Sequence, residues 1–180
     1  MSNLTSAENK SSGIAAGTPI LMADGSLKPI EKAMVGDQVA SFKGLGALRS
    51  RRVLGRSTQH KCALVSFDDL QVSPGHLFLV KTGAFRPLSE IGVSDSLVLQ
   101  CGGHFAFTAM EKVAGRHKVF SLLVEGTGCY IAGGYRVRGV TLTESSIQRD
   151  RHIEVVSVAD SQAFFSGEKE GRPGARKVLL

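Results

Sequence analysis

The side chains with the types and spacing to do chemistry fall into four groups. His76 closes the run Val72-Ser73-Pro74-Gly75-His76, where an imidazole three residues after a hydroxyl can carry a proton at neutral pH. Read without further context, it is equally a histidine held at the head of the buried strand "LFLV", with Ser73 as a turn residue capping its own backbone. Ser11 and Ser12 precede the inert stretch Gly13-Ile14-Ala15-Ala16-Gly17, and either hydroxyl is a candidate nucleophile for a bond inside the chain. Cys101-Gly-Gly-His104 and His60-Lys-Cys62 have spacings that zinc ligands use, but no Cys-x-x-Cys accompanies them, so no metal is expected. Arg49, Arg51, Arg52 and Arg56 form a basic cluster suited to an anion or an acidic partner. No aromatic residue is interleaved with them, as single-strand binders require, and Gly44-Leu45-Gly46 lacks the Gly-Lys-Ser/Thr of a phosphate loop. A solvated loop, or a rim that docks an acidic neighbour, accounts for the cluster better than nucleic acid does.

The elements that must position these groups read as β-structure. With 42% apolar residues, the 180-residue chain can bury one core, and 21 Gly against 5 Pro imply many tight turns. "TPILMADGSLKPI" puts Asp24-Gly25 between two apolar runs, which predicts a hairpin, and Gly36-Asp37 predicts a second turn before Val39. Residues 43–61 read as a basic loop followed by a strand over about 51–58. Further short runs, "CALVSF", "LQVSPGHLFLV", "LSEIGVSDSLVLQ", "HFAFTAMEKVAG", "HKVFSLLVEG" and "CYIAGGYRVRGVTL", are rich in Val, Leu, Ile and Phe and broken by turn residues. Pro29 to Met34 is the one helical stretch, and it is too short to organise anything.

Residues 1–12 are polar and read as an arm; 143–180 read as a basic tail with a strand expected at 153–159. The charge of +6 favours anionic partners without specifying one. Three cysteines far apart outline no disulfide framework, so reduced, buried thiols are expected. The sequence shows no apolar run long enough for a membrane helix and no signal-peptide pattern, which points to synthesis in the cytoplasm.

Three ordered segments resemble the blocks of the Hint domain family, shared by hedgehog autoprocessing domains and inteins. "GIAAGTPILMADGSLKPIEKAMVGDQVASF" (13–42) is similar to the opening block, in which a nucleophile precedes Gly-Thr, a strand, Asp-Gly and Gly-Asp-x-Val. "VSPGHLFLV" (72–80) is similar to the block carrying Thr-x-x-His, and "VFSLLVEGTGCYIAGGYRVRG" (119–139) to the closing block that ends in His-Asn. In an active member, the resemblance implies, the first residue attacks the preceding carbonyl, the block histidine serves the departing nitrogen, and the terminal Asn cyclises. Carried over position by position, the nucleophile is Gly13, the block Thr and His are Ser73 and His76, the frequent Asp is Ser121, and the His-Asn pair is Arg138-Gly139. Glycine cannot attack, and arginine stays protonated and cannot shuttle a proton.

The resemblance therefore implies an all-β, Hint-like domain over 13–142 that keeps the fold without its reaction. Its expected role is a structural or interaction module of a large assembly such as a phage virion, in its tail or another external part. Its partners would be other protein subunits reached through the arm and tail, with no cofactor, no membrane, self-association as an option and nucleic acid disfavoured. Two rivals stay open: autoprocessing through a non-standard nucleophile, and polyanion binding through the arginines.

Overall fold

A computed structural model describes residues 12–140 and the strand 152–155. At Asp24-Gly25, β2 (Pro19–Leu21) turns back into β3 (Leu27–Pro29), with Gly25 at φ 86°. Asp24 Oδ1 accepts from the backbone N–H and the hydroxyl of Ser26, so the side chain closes the turn. Residues 29–34 supply a single 3-10 turn, Ile30–Lys32, whose Ile30 is fully buried. β4 (Gln38–Ser41) follows the Gly36-Asp37 turn, where Asp37 accepts from the Met34 N–H and the Lys28 ammonium.

This unit occurs twice. β7 (Leu77–Leu79), β8 (Phe85–Pro87), a 3-10 turn (Leu88–Glu90) and β9 (Ser96–Val98) begin at 77, 85, 88 and 96, each 58 residues after 19, 27, 30 and 38. Backbone contacts recur at the same offset: Ile30 N–H to Thr18 O matches Leu88 N–H to His76 O, and Ala23 N–H to Gln38 O matches Lys81 N–H to Ser96 O. The Lys28–Asp37 ion pair is matched by Arg86–Asp95. Turns, caps and ion pairs sharing one offset mark an internal duplication. His76 therefore occupies the second-copy position of Thr18, and Ser73 that of Ala15, so the hydroxyl–imidazole pair belongs to one copy alone.

The basic segment differs from the expected loop and short strand. β5 runs from Arg49 to Phe67 as one strand, with Lys61 at φ 57°. Its ladder with β11 (Glu111–Val124) changes register on both sides of the pair Cys62↔His117. Such bulges bend a long strand and let it serve several neighbours. β5 pairs with β4 through 49–52, with β6 (Leu70–Val72) at its far end, and with β14 (His152–Val155) along 55–58. The strand expected at 153–159 falls partly on β14; residues 156–159, like 1–11, lie outside the described residues.

One sheet runs β11, β1 (Ile14–Ala15), β6, β5, β14, with β4 added on β5. The other runs β3, β2, β12 (Cys129–Ala132), β13 (Tyr135–Arg138), β7, β8, and β9 pairs with β10 (His104–Ala106). Phe67 of the first sheet meets Phe78 and Tyr135 of the second edge-on, at centroid distances of 5.6 and 5.4 Å. Each such pair adds about 0.5–1.5 kcal/mol to the burial of its rings. This aromatic centre fixes the two sheets to each other and so sets where their ends meet. No helix among the described residues is long and apolar enough to cross a membrane.

Candidate functional site

β1 is only two residues long, yet it is gripped on both edges: Ile14 pairs with Val72 of β6 and with Phe120 of β11. That places Gly13 beside Ser73. The Gly13 N–H donates to Ser73 Oγ at 2.8 Å, while the Gly13 carbonyl accepts from the Ser73 N–H at 2.9 Å and from its hydroxyl at 3.0 Å. Ser73 is thus more than the cap of its own turn; it clamps both polar groups of a residue 60 positions away.

His76 follows on the same turn, its N–H donating to Ser73 O. The ring is fully buried, edge-on to Phe78 at 5.9 Å, and its Nδ1 lies 3.1 Å from the Ser12 hydroxyl. Nε2 has no hydrogen-bond partner among the described residues. Burial pushes the imidazole down from 6.5 to about 3, so it is neutral at pH 7. A neutral ring has one donor and one acceptor nitrogen, and the Ser12 hydroxyl can pair with Nδ1 in either tautomer.

The far end of the domain arrives at the same place. β7 and β13 pair Leu77 with Arg138, which sets Gly139 close to the His76 end of the sheet. Gly13 and Gly139 both lie against residues 119–122 of β11. A Cβ on Gly13 would lie 2.5 Å from Val119 Cγ2 and 3.1 Å from Phe120 O; one on Gly139 would lie 2.0 Å from Leu122 O and 2.9 Å from Tyr130 Cε1. Neither backbone position has room for a side chain.

Ser121 lies between the two glycines on β11, fully buried and paired across the ladder with Ser57. The Ser121 and Tyr130 hydroxyls are near enough for Ser121 to lower the Tyr130 phenol slightly, yet neither reaches good hydrogen-bond geometry with a described residue. Burial dominates and pushes that phenol up to about 12. Arg138 is half-buried, its guanidinium 5.4 Å from the Phe85 ring centroid. Gly13, Ser73 and His76 thus meet at the ends of β1, β6 and β7, with Gly139 after β13 and Ser121 within β11, whereas the Arg138 guanidinium lies over Phe85.

The fold of the chain is similar to that of known structures. A bacterial intein-like domain from Clostridium thermocellum matches 73% of this chain over its own full length, with a TM-score of 0.63 at 22% identity. A DnaB intein from Synechocystis sp. PCC 6803 and the gp41-1 intein each match 72% of the chain and 100% of their own, both with a TM-score of 0.60, at 17% and 18% identity. The chain has the Hint fold. No protein-family model and no curated protein matches the chain in sequence.

The four arginines of the cluster have different surroundings in this Hint-fold chain. Arg56 is half-buried and donates to the carbonyls of Glu31 and Ala33, with its guanidinium 5.6 Å from the Phe120 ring centroid. Arg52 is half-buried, and its N–H donates to Glu125. Only Arg49 and Arg51 are exposed, and they share a cleft with Lys43.

Cys62 and Cys129 are buried in strands, which pushes both thiols up, but Cys101 is exposed on a turn, contrary to the expectation of buried thiols. Among the described residues no three His, Cys, Asp or Glu side chains gather as a metal site would need. The sequence reading also passes over Arg136, which is buried and bound to the carbonyls of Gly44, Gly46, Leu99 and Gln100. The run Tyr135-Arg136-Val137-Arg138 gives no signal of this, since alternation puts Arg136 on the same face as the less buried Arg138.

Proposed function

We propose that the chain is a Hint-fold module that does not splice and that serves as a structural or interaction part of a larger assembly, a virion component being the setting expected from its sequence. The observation that carries this reading is steric. At both junction positions the side chain is missing, and β11 occupies the space that a side chain would need. Restoring a nucleophile therefore takes more than one substitution.

Gly13→Cys is expected to cost about 2 kcal/mol, the usual range for forcing extra atoms into a packed site, and to yield no ligated product. Adding Val119→Ala, which removes the Cγ2 methyl but keeps the Val119 Cβ at 2.8 Å, should return part of the loss. Urea titration of the two variants checks both expectations. The reading itself is tested by intact mass: the chain carries a tag at each end and is incubated with a thiol or with hydroxylamine. One uncut mass is expected, and a fragment ending near residues 11–13 or at Gly139 overturns it.

A second reading rests on the contact between Ser12 and His76. The Ser12 oxygen would add to the carbonyl carbon of Ser11, the Ser12 nitrogen would leave with a proton carried by the imidazole, and water would hydrolyse the ester. It predicts a break between Ser11 and Ser12, which disappears in Ser12→Ala and in His76→Ala.

A further inference from the structure

Beside the turn that follows β11, the β4–β5 hairpin borders a cleft of about 410 Å³. Lys43, Arg49 and Arg51 line it together with Ser41, Phe42 and Thr127. Arg49 and Arg51 are two residues apart on one strand, so both project to the same side, and all three cations are exposed. Among the described residues no carboxylate lines the cleft, and the ion pairs Lys28–Asp37 and Arg86–Asp95 lie elsewhere.

Arg49 also borders a second hollow of about 210 Å³, whose wall includes Leu21, Met22, Ala40 and Leu48. Leu48 is 38% exposed and Leu45, on the same loop, 55%. Positive charge and apolar surface therefore meet at one residue. Phe42, the aromatic residue of the cleft, is 2% exposed, stacked on Phe85 and covered by the Arg136 guanidinium at 5.0 Å. It offers no free face on which a nucleobase could stack.

We infer that this paired cleft and hollow bind an extended protein segment carrying carboxylates together with an aliphatic side chain. Carboxylates would meet Lys43, Arg49 and Arg51 in the cleft, and the aliphatic group would enter the hollow by Leu48. An extended segment presents successive side chains to opposite sides, which suits two pockets flanking one arginine. The inference rests on the chain being an interaction module, and it names the chemistry of that module's partner.

The test is fluorescence anisotropy on the full chain with three labelled probes: a short peptide of alternating Glu and Leu, an oligo-glutamate of equal charge, and a single-stranded oligonucleotide. The alternating peptide should bind most tightly, and raising the salt concentration should weaken it. Arg49→Glu with Arg51→Glu should cost at least about tenfold in affinity, since like charges then face the probe. Leu48→Ser should cost about fivefold for the alternating peptide and nothing for oligo-glutamate, as expected for losing one aliphatic contact. The substituted side chains are exposed, and circular dichroism of each variant confirms that it folds.

Absence of peptide binding, or equal binding by the charge-reversed variant, overturns the inference. So does an oligonucleotide that binds more tightly than the peptide and is lost on charge reversal, which would make the cleft a phosphate site. A chain that cuts itself yet binds the peptide fails the module reading alone. An uncut chain that binds no peptide fails this inference alone.

Discussion

Arg136→Met is expected to lower the stability of the domain by about 3 kcal/mol, the loss of several charge-assisted hydrogen bonds net of the relief from burying a cation. Two terms oppose each other here. Arg136 is 4% exposed with no carboxylate partner among the described residues, and burial pulls its pKa down from the ordinary value, so its removal spares a desolvation cost. Against that stand four carbonyls, those of Gly44 and Gly46 on one loop and of Leu99 and Gln100 on another, all answered by this one side chain.

The second term wins because a planar five-donor fork reaches both loops at once; of the four carbonyls, that of Leu99 also accepts from the Gly102 N–H. Arg136→Lys should recover less than half of the loss, because a single ammonium cannot span the two loops. The melting temperature of Arg136→Met should fall by roughly 6–12 °C at this chain length. Hydrogen exchange should quicken first at Gly46 and Leu99, whose amides are bonded within the two loops. A loss below about 1 kcal/mol would show that water satisfies the carbonyls and that Arg136 is no latch.

Where sequence and structure agree, the agreement comes from local chemistry. Asp24-Gly25 and Gly36-Asp37 announce their turns because the residues that form a turn lie within it. The ordered blocks around Gly13, His76 and Gly139 were legible for a related reason: the inert stretch before Thr18 and the Arg138-Gly139 pair stand out against the pattern that the neighbouring residues keep. What stayed hidden depends on distant pairing. The continuity of β5 through Lys61 depends on a bulged ladder with β11, which no window of the sequence contains. The division of the arginines into Arg56, which braces a 3-10 turn, and Arg49 with Arg51, which face a cleft, depends on which neighbours fold against β5. The duplication was within reach, because Lys28 and Asp37 recur as Arg86 and Asp95 at a constant offset. Low identity between the copies masks it until the hydrogen bonds are compared.

Acidification from pH 7 to pH 5 is expected to cost the domain about 2 kcal/mol through His76 alone, at about 1.4 kcal/mol per pH unit once below the unfolded pKa. The folded imidazole titrates at about 3 because it is buried, whereas an unfolded histidine titrates near 6.5. Between those values the unfolded chain takes up a proton that the folded chain refuses, so stability falls as pH falls through that window and is unaffected above it. Asp24, Glu31 and Asp37 have carboxyls held below their ordinary values, so their contribution is lost only at lower pH. Urea titrations at pH 7, 6 and 5 therefore isolate His76, and His76→Leu should flatten the curve over that range. Parallel curves for the two proteins would show that His76 titrates alike in the folded and unfolded chain. The result also weighs the two readings of the site. A proton carrier works best with a pKa near the working pH. A histidine held at about 3 can share a hydrogen bond with Ser12 as a neutral ring but takes its proton poorly, which favours the clamp over the catalyst. A His76 that titrates near neutrality would reverse that preference and make cleavage before Ser12 the first thing to look for.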